Sequence, residues 1–200
     1  FLRGASHPDE LVRTAHAAGY GGFALTDHAS MSGVVRAHLQ AKELGFPFVV
    51  GAEIALSDAA SVVLLAGDRA AYGRLCRLIT LGRRRAEKGS CDLGAADLAA
   101  HAEGLFALAL PDESALSPDA GRAELSAAAE RLRIFSAVFG ARAFLAAELH
   151  DGPDDRARTA RLELLAAETG LLPVAAGGVD AHAPERRAVR ESAESAGARE

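Results

Sequence analysis

Histidine and carboxylate side chains recur directly after four separate apolar segments of this chain. The residues are Asp27 and His28, then Glu53, then Glu148 and His150, and finally Asp180 and His182. Imidazole nitrogens and carboxylate oxygens are good ligands for Zn, Mn and Fe. Ions held by such groups lower the pKa of bound water and bind phosphate oxygens. The recurrence therefore predicts a metal-assisted site for phosphate chemistry, assembled from several parts of the chain.

Spacing within these pairs indicates which side chains face a shared site. Asp180 and His182 are two residues apart, so they face the same side of an extended segment. Asp27 and His28 are adjacent and face opposite sides, which favours His28 as the ligand and Asp27 as a cap of the following helix. Glu53 lies between apolar residues, where a carboxylate usually has a partner. A solvated turn histidine stays an equally good interpretation of His28 taken alone, and of His150.

Short apolar segments alternate with helical stretches along the whole chain. The predicted strands are 22–26, 46–50, 61–66, 105–110, 144–149 and 172–176, and the predicted helices are 8–18, 31–44, 70–85, 125–139 and 156–169. This alternation predicts βα units and a mainly parallel sheet. So many units in one domain favour a closed or nearly closed barrel over an open sheet. Functional residues of such barrels collect at the carboxyl ends of the strands.

Composition excludes several classes of protein. The 200 residues suit one domain, and the net charge of −5 argues against a free-standing nucleic-acid binder. The basic run 83–88 is interpreted as a solvated helix end. Cys76 and Cys91 form no disulfide framework, which favours a reducing cytoplasm. No apolar run approaches the length of roughly 20 residues that a membrane span needs.

Several segments together resemble one known domain family. The segments are FLRGASHPDEL (1–11), ALTDHASMSGVVRAH (24–38), VGAEI (50–54), VVLLAGDRAAYGRLCRLITLGRRRAEKG (62–89), AAELH (146–150) and GGVDAH (177–182). They resemble, in order and over nearly the whole chain, the PHP (polymerase and histidinol phosphatase) domains of bacterial C-family DNA polymerases. The opening FLRGASHP and the stretch YGRLCRLIT are most similar to the error-prone branch of that family.

The resemblance implies an α/β fold, a distorted seven-stranded βα (TIM-like) barrel that holds up to three metal ions. Active members of the family are phosphoesterases or proofreading enzymes. Matching motif by motif, the implied metal ligands are His28, Glu53, Asp180 and His182, and the implied ions are Zn or Mn. Asp27 and Glu148 are expected beside the site.

Departures from the family pattern fall on the same site. The chain begins after the family's first histidine pair, so we expect the barrel to lack its first strand. Arg3 stands where the family has an aspartate, and Ser61 where it has a histidine. The late histidine ligand aligns near Gly152, two residues from His150. A guanidinium repels metal ions unless it is paired, and Arg3 is expected to pair with Glu53 or Asp180.

These observations predict a degenerate site that binds metal weakly or not at all. We expect residues 1–200 to form a single PHP-type domain, an N-terminal fragment of an error-prone DNA polymerase for repair or translesion synthesis. Its expected partners are the remainder of the polymerase chain, with its Mg, and DNA through that parent protein. One alternative is an active metal-dependent phosphoesterase acting on phosphate monoesters or DNA 3′ ends. Another is a stand-alone interaction domain with a vestigial site.

Overall fold

Six strands form a single sheet in the order in which they follow along the chain. The computed structural model describes residues 5–149, 151–179 and 181–186. The strands are β1 (Phe23–Leu25), β2 (Phe48–Ile54), β3 (Ser61–Ala66), β4 (Leu105–Leu110), β5 (Ala143–Ala147) and β6 (Leu172–Ala175). The sheet curls into half a barrel. All strands run in one direction except β3, which is antiparallel to both neighbours. The α/β class and the mainly parallel sheet are thereby confirmed.

Helices connect the strands and cover the sheet. They are α1 (Pro8–Ala17), α2 (Val34–Glu43), α3 (Arg69–Arg85), α4 (Ala95–His101), α5 (Glu113–Leu116), α6 (Arg122–Phe139) and α7 (Asp155–Thr169), with 3-10 turns at Gly140–Arg142 and Pro184–Arg186. α2 ends where its sequence predicts, because Gly45 adopts the left-handed φ of 62° that favours glycine after a helix. In the described part of the chain, no helix is long and apolar enough to cross a membrane.

Two helices were absent from the sequence prediction. α4 lies in an alanine-rich stretch in which only Leu98 is buried, so it carries no apolar stripe. α5 is a single turn within the stretch 111–119, which has the composition of a loop. Neither helix has the recurring apolar residues from which the other helices are predicted.

Two apolar clusters form the core. The main cluster packs the inner residues of β2 to β5 against α3, α6 and α7, and Leu64, Leu105 and Phe135 are fully buried within it. A smaller cluster lies between α1, α2 and β1, with Val12 and Ala37 fully buried. The two clusters therefore fix opposite ends of the sheet to their helices.

The second strand is longer than its sequence predicts. The predicted strand 46–50 is in fact Phe48–Ile54, because its second half pairs with β3 from Gly51 to Ile54. Glu53 is therefore inside a strand, and its predicted place beyond the strand end is wrong. Gly51 is required at this pairing, since a Cβ there would lie 2.6 Å from the backbone oxygen of Leu64.

The reversed direction of β3 brings its first residue to the carboxyl edge of the sheet. Ser61 pairs with Leu110, the last residue of β4, and the neighbouring Val62 pairs with Ile54, the last residue of β2. The residue at position 61 thus shares an edge with the ends of the parallel strands. The predicted seventh strand and the closure of the barrel do not appear within the described residues.

We expect the main core to control stability. Leu132→Ala removes a fully buried side chain from α6 and should lower the free energy of unfolding by about 3–5 kcal/mol. The matched control is Leu164→Ala in α7, whose side chain is 52% exposed and whose loss should cost less than about 1 kcal/mol. Urea denaturation measures both. Equal losses in the two variants would contradict the assignment of the core.

Candidate active site at the carboxyl edge of the sheet

A pocket of about 270 Å³ opens at the carboxyl edge of the sheet. We call it the carboxyl-edge pocket. Its polar lining comes from the end of β2, the start of β3, the loop after β4, the residue after β5 and the first turn of α7. These side chains are Glu53, Ser61, Asp112, Glu113, Glu148 and Arg158. The structure therefore brings three of the predicted residues, Glu53, Ser61 and Glu148, to one cavity.

His28 lies beside Glu53. The two residues form an isolated parallel bridge between the segment after β1 and the end of β2. His28 Nδ1 is 3.5 Å from Glu53 Oε1, and both side chains are about one-third exposed, at 37% and 34%. The Nδ1 atom is buried and makes no hydrogen bond with the described residues. Among the predicted ligands that the structure describes, His28 and Glu53 lie in direct proximity.

Backbone hydrogen bonds set this pair in place. The Glu53 N–H donates to the Asp27 oxygen at 3.2 Å, and the Ala29 N–H donates to the Glu53 oxygen at 2.8 Å. Ala29 is buried and has a φ of 43°, in the left-handed region that costs a residue other than glycine about 1–2 kcal/mol. The turn at Ala29 lets the segment 27–29 make both hydrogen bonds with Glu53, and these bonds compensate for the strain.

Arg83 supports the same turn from the end of α3. Its Nε and Nη2 donate to the Ala29 oxygen at 3.2 and 2.9 Å. Its Nη1 donates to the oxygens of Gly89 and Ser90 at 2.8 and 3.1 Å. The interpretation of the basic run as a solvated helix end is therefore wrong for Arg83, although it suits the exposed Arg84.

Asp27 holds the start of α2. Its Oδ2 accepts from the backbone N–H of Gly33 at 3.0 Å and from the Ser32 hydroxyl at 3.4 Å. Gly33 precedes the first residue of α2, so the carboxylate satisfies a donor that the helix leaves open. This contact agrees with the capping role expected of Asp27.

His182 lies against the start of α1. Its Nδ1 is 2.6 Å from Ser6 Oγ, and its backbone N–H donates to the same oxygen at 2.9 Å. Glu10 Oε2 is 3.7 Å from that Nδ1. The N–H of His7 lowers the pKa of Glu10, and the nearby Arg186 and His182 act in the same direction. The Nδ1 atom of His182 thus contacts Ser6, which lies just before α1, and is near Glu10 within that helix.

Arg158 is a pocket residue that the sequence analysis missed. Its Nη1 and Nη2 donate to the two carboxylate oxygens of Glu113 at 2.7 and 3.0 Å. These bonds raise the pKa of Arg158 against an opposing effect of burial, and Asp155 and Glu148 add to the increase. No local signal singles it out, because Arg69, Arg122 and Arg156 also lie at helix starts.

A family profile of the PHP domain matches residues 1–152. The chain belongs to the PHP domain family. Related error-prone DNA polymerases match 96% of this PHP domain. That of Rhodopirellula baltica is 43% identical over 192 residues, and that of Aromatoleum aromaticum is 47% identical over 193 residues. The chain spans only 17% and 18% of the lengths of these two relatives.

Solved structures share the fold of this PHP domain. A candidate metal-dependent phosphoesterase from Bifidobacterium adolescentis superposes with a TM-score of 0.58 and 17% identity, over 90% of this chain and 84% of that one. An amidohydrolase from Chromobacterium violaceum, with sulfate bound and no metal, gives a TM-score of 0.57 and 21% identity, over 91% and 84% of the two chains. At these identities the likeness establishes the fold alone.

The described residues of the PHP domain do not fit a complete metal centre. Within 5–149, 151–179 and 181–186, no three His, Cys, Asp or Glu side chains are grouped so that they could hold one ion. His28 and Glu53 are a possible pair of donors, but Ser61 offers only a hydroxyl where the family has a histidine. Arg3, His150 and Asp180 lie outside the described residues, so the expectations for them stay predictions.

We expect Arg83 to stabilise the turn that presents His28. Arg83→Met removes the hydrogen bonds to the oxygens of Ala29, Gly89 and Ser90 and should lower the free energy of unfolding by about 1–3 kcal/mol. Arg84→Met, which changes the charge equally on an exposed neighbour, should change it by less than about 0.5 kcal/mol. Urea denaturation measures both, and equal effects would show that charge rather than these hydrogen bonds is responsible.

Proposed function

We propose that this chain is the N-terminal PHP domain of an error-prone DNA polymerase that acts in DNA repair and translesion synthesis. The main support is sequence identity of 43–47% to error-prone DNA polymerases over 96% of the chain. The chain spans only 17–18% of the length of those polymerases. Because the alignment covers nearly all 200 residues, we interpret residues 1–200 as one domain. We also propose that the six-stranded sheet belongs to the seven-stranded barrel implied by the family.

The proposed role of the domain is structural. Basic side chains of the chain itself face the acidic lining of the carboxyl-edge pocket, where an active family member would carry metal. These contacts support a degenerate site with weak or no binding of Zn or Mn. His28, Glu53, Asp180 and His182 would then be its vestigial ligands.

The proposed partner of the domain is the remainder of the polymerase chain. DNA would be reached through that part, which would also carry the Mg needed for nucleotide transfer. The net charge of −5 supports this division, because an acidic domain gains little from contact with phosphates. A bacterial polymerase of this kind would work in the cytoplasm.

The full-length polymerase provides the test of the structural role. We expect well below one Zn or Mn per chain by elemental analysis. Primer extension should be unchanged after these metals are chelated and Mg is restored. Leu132→Ala should reduce extension at elevated temperature, because it unfolds the domain that supports the polymerase. A stoichiometric tightly held metal whose removal abolishes extension would contradict the proposal.

A second candidate is a metal-dependent phosphoesterase acting on phosphate monoesters or DNA 3′ ends. It is favoured by the buried Nδ1 of His28 beside Glu53 and by the fold shared with a candidate phosphoesterase. Phosphate release from p-nitrophenyl phosphate and shortening of a DNA 3′ end, each with Mn²⁺ or Zn²⁺, test it. Turnover that is lost in His182→Ala would replace the structural role with this one.

A further inference from the structure

Acidic side chains in the carboxyl-edge pocket face basic side chains of the same chain. Glu53 lies 3.5 Å from His28, and Asp112 lies 3.5 Å from Arg131. Glu113 accepts the bidentate bonds of Arg158. Each of these three carboxylates thus lies beside a basic side chain of the same chain.

Arg158 is the most enclosed of these basic groups. Its side chain is 16% exposed, whereas that of its partner Glu113 is 74% exposed. Glu113 therefore binds the guanidinium from the solvent side, while the arginine lines the pocket below. The buried Nε of Arg158 has no hydrogen-bond partner among the described residues. A planar fork bound to both oxygens of one carboxylate is a strong and orientation-specific contact.

The position of Arg158 along its helix supports a role in the pocket. It is in the first turn of α7, where the helix dipole disfavours a cation. Its electrostatic partners Glu113, Asp155 and Glu148 raise the pKa of Arg158 and so favour its charged form. Glu113 and Glu148 line the same pocket as the guanidinium. An arginine that only stabilised α7 would be better placed in its last turn.

We propose that Arg158 is the resident cation of the carboxyl-edge pocket and excludes divalent metal ions from it. Its guanidinium occupies the acidic lining with a fixed positive charge, and it engages the carboxylate oxygens of Glu113 that a metal ion would need. A divalent ion entering the pocket would meet that charge at short range and be repelled by it. The inference rests on the degenerate metal site proposed above and names the group responsible for it.

Thermal unfolding of the whole chain with Mn²⁺ tests the inference. Arg158→Met removes the positive charge from the pocket and the bidentate bonds to Glu113. At a Mn²⁺ concentration of about ten times the dissociation constant of Mn²⁺ from this variant, the Tm of the variant should rise by about 3–6 °C. The Tm of the unmodified chain should rise by less than about 1 °C under the same conditions.

Arg161→Met is the matched control, because it changes the net charge equally on the same helix. Arg161 donates to the Pro118 oxygen outside the pocket, so this variant should not respond to Mn²⁺. If Arg158→Met folds too poorly, Arg158→Gln should gain the response, and Arg158→Lys, which keeps the charge, should not.

The two proposals fail in different ways. Equal Mn²⁺ responses of the Arg158 and Arg161 variants, or no response of either, would overturn the role of Arg158 alone. A full response of the unmodified chain would overturn the degenerate site as well. Membership in a polymerase is tested separately by primer extension with the full-length protein.

Discussion

The short backbone ladder between the segment after β1 and the end of β2 organises the functional edge of this domain. Glu53 donates to Asp27 and accepts from Ala29, so one residue holds both sides of the segment that contains His28. Gly51 allows β2 to approach β3 closely two residues earlier. The turn at Ala29 and the guanidinium of Arg83 therefore support one side of this ladder, and the close pairing of β2 with β3 supports the other. The proximity of His28 and Glu53 follows from the backbone and does not require a bound ion.

Charge compensation distinguishes this edge from a typical metal site. A metal centre gathers several carboxylates and histidines around an ion, whose charge offsets their mutual repulsion. Here the carboxylates are distributed among arginines and a histidine that the chain supplies itself. Arg131 and Arg158 are cations of the chain itself, so part of the negative charge of this edge is offset from within the fold.

Local sequence patterns predicted most of the helices and strands. They could not predict which residues far apart in the sequence contact one another. The bounds of β3 and β4 agree with the sequence prediction, because alternating burial and flanking turn residues are local signals. Glu148 was expected near the site from its place at a strand end, and Ser61 from the resemblance to the family, which has a histidine there. Arg158 and Glu113 are 45 residues apart, and His182 and Ser6 are 176 apart. Such contacts depend on the order of strands in the sheet, which no periodicity encodes. The extension of β2 to Ile54 likewise needed knowledge of its partner β3.

The reversal of β3 has a consequence for the connection between β3 and β4. A connection between parallel strands must traverse the height of the domain an odd number of times, as α2 and α7 each do once. β3 and β4 are antiparallel, so the chain leaves and re-enters the sheet at one edge and must traverse an even number of times. α3 carries the chain away from the edge at which β4 begins. The segment that follows, which passes Asp58 at the start of α4, returns the chain to that edge, where Ala66 at the end of β3 pairs with Leu105 at the start of β4.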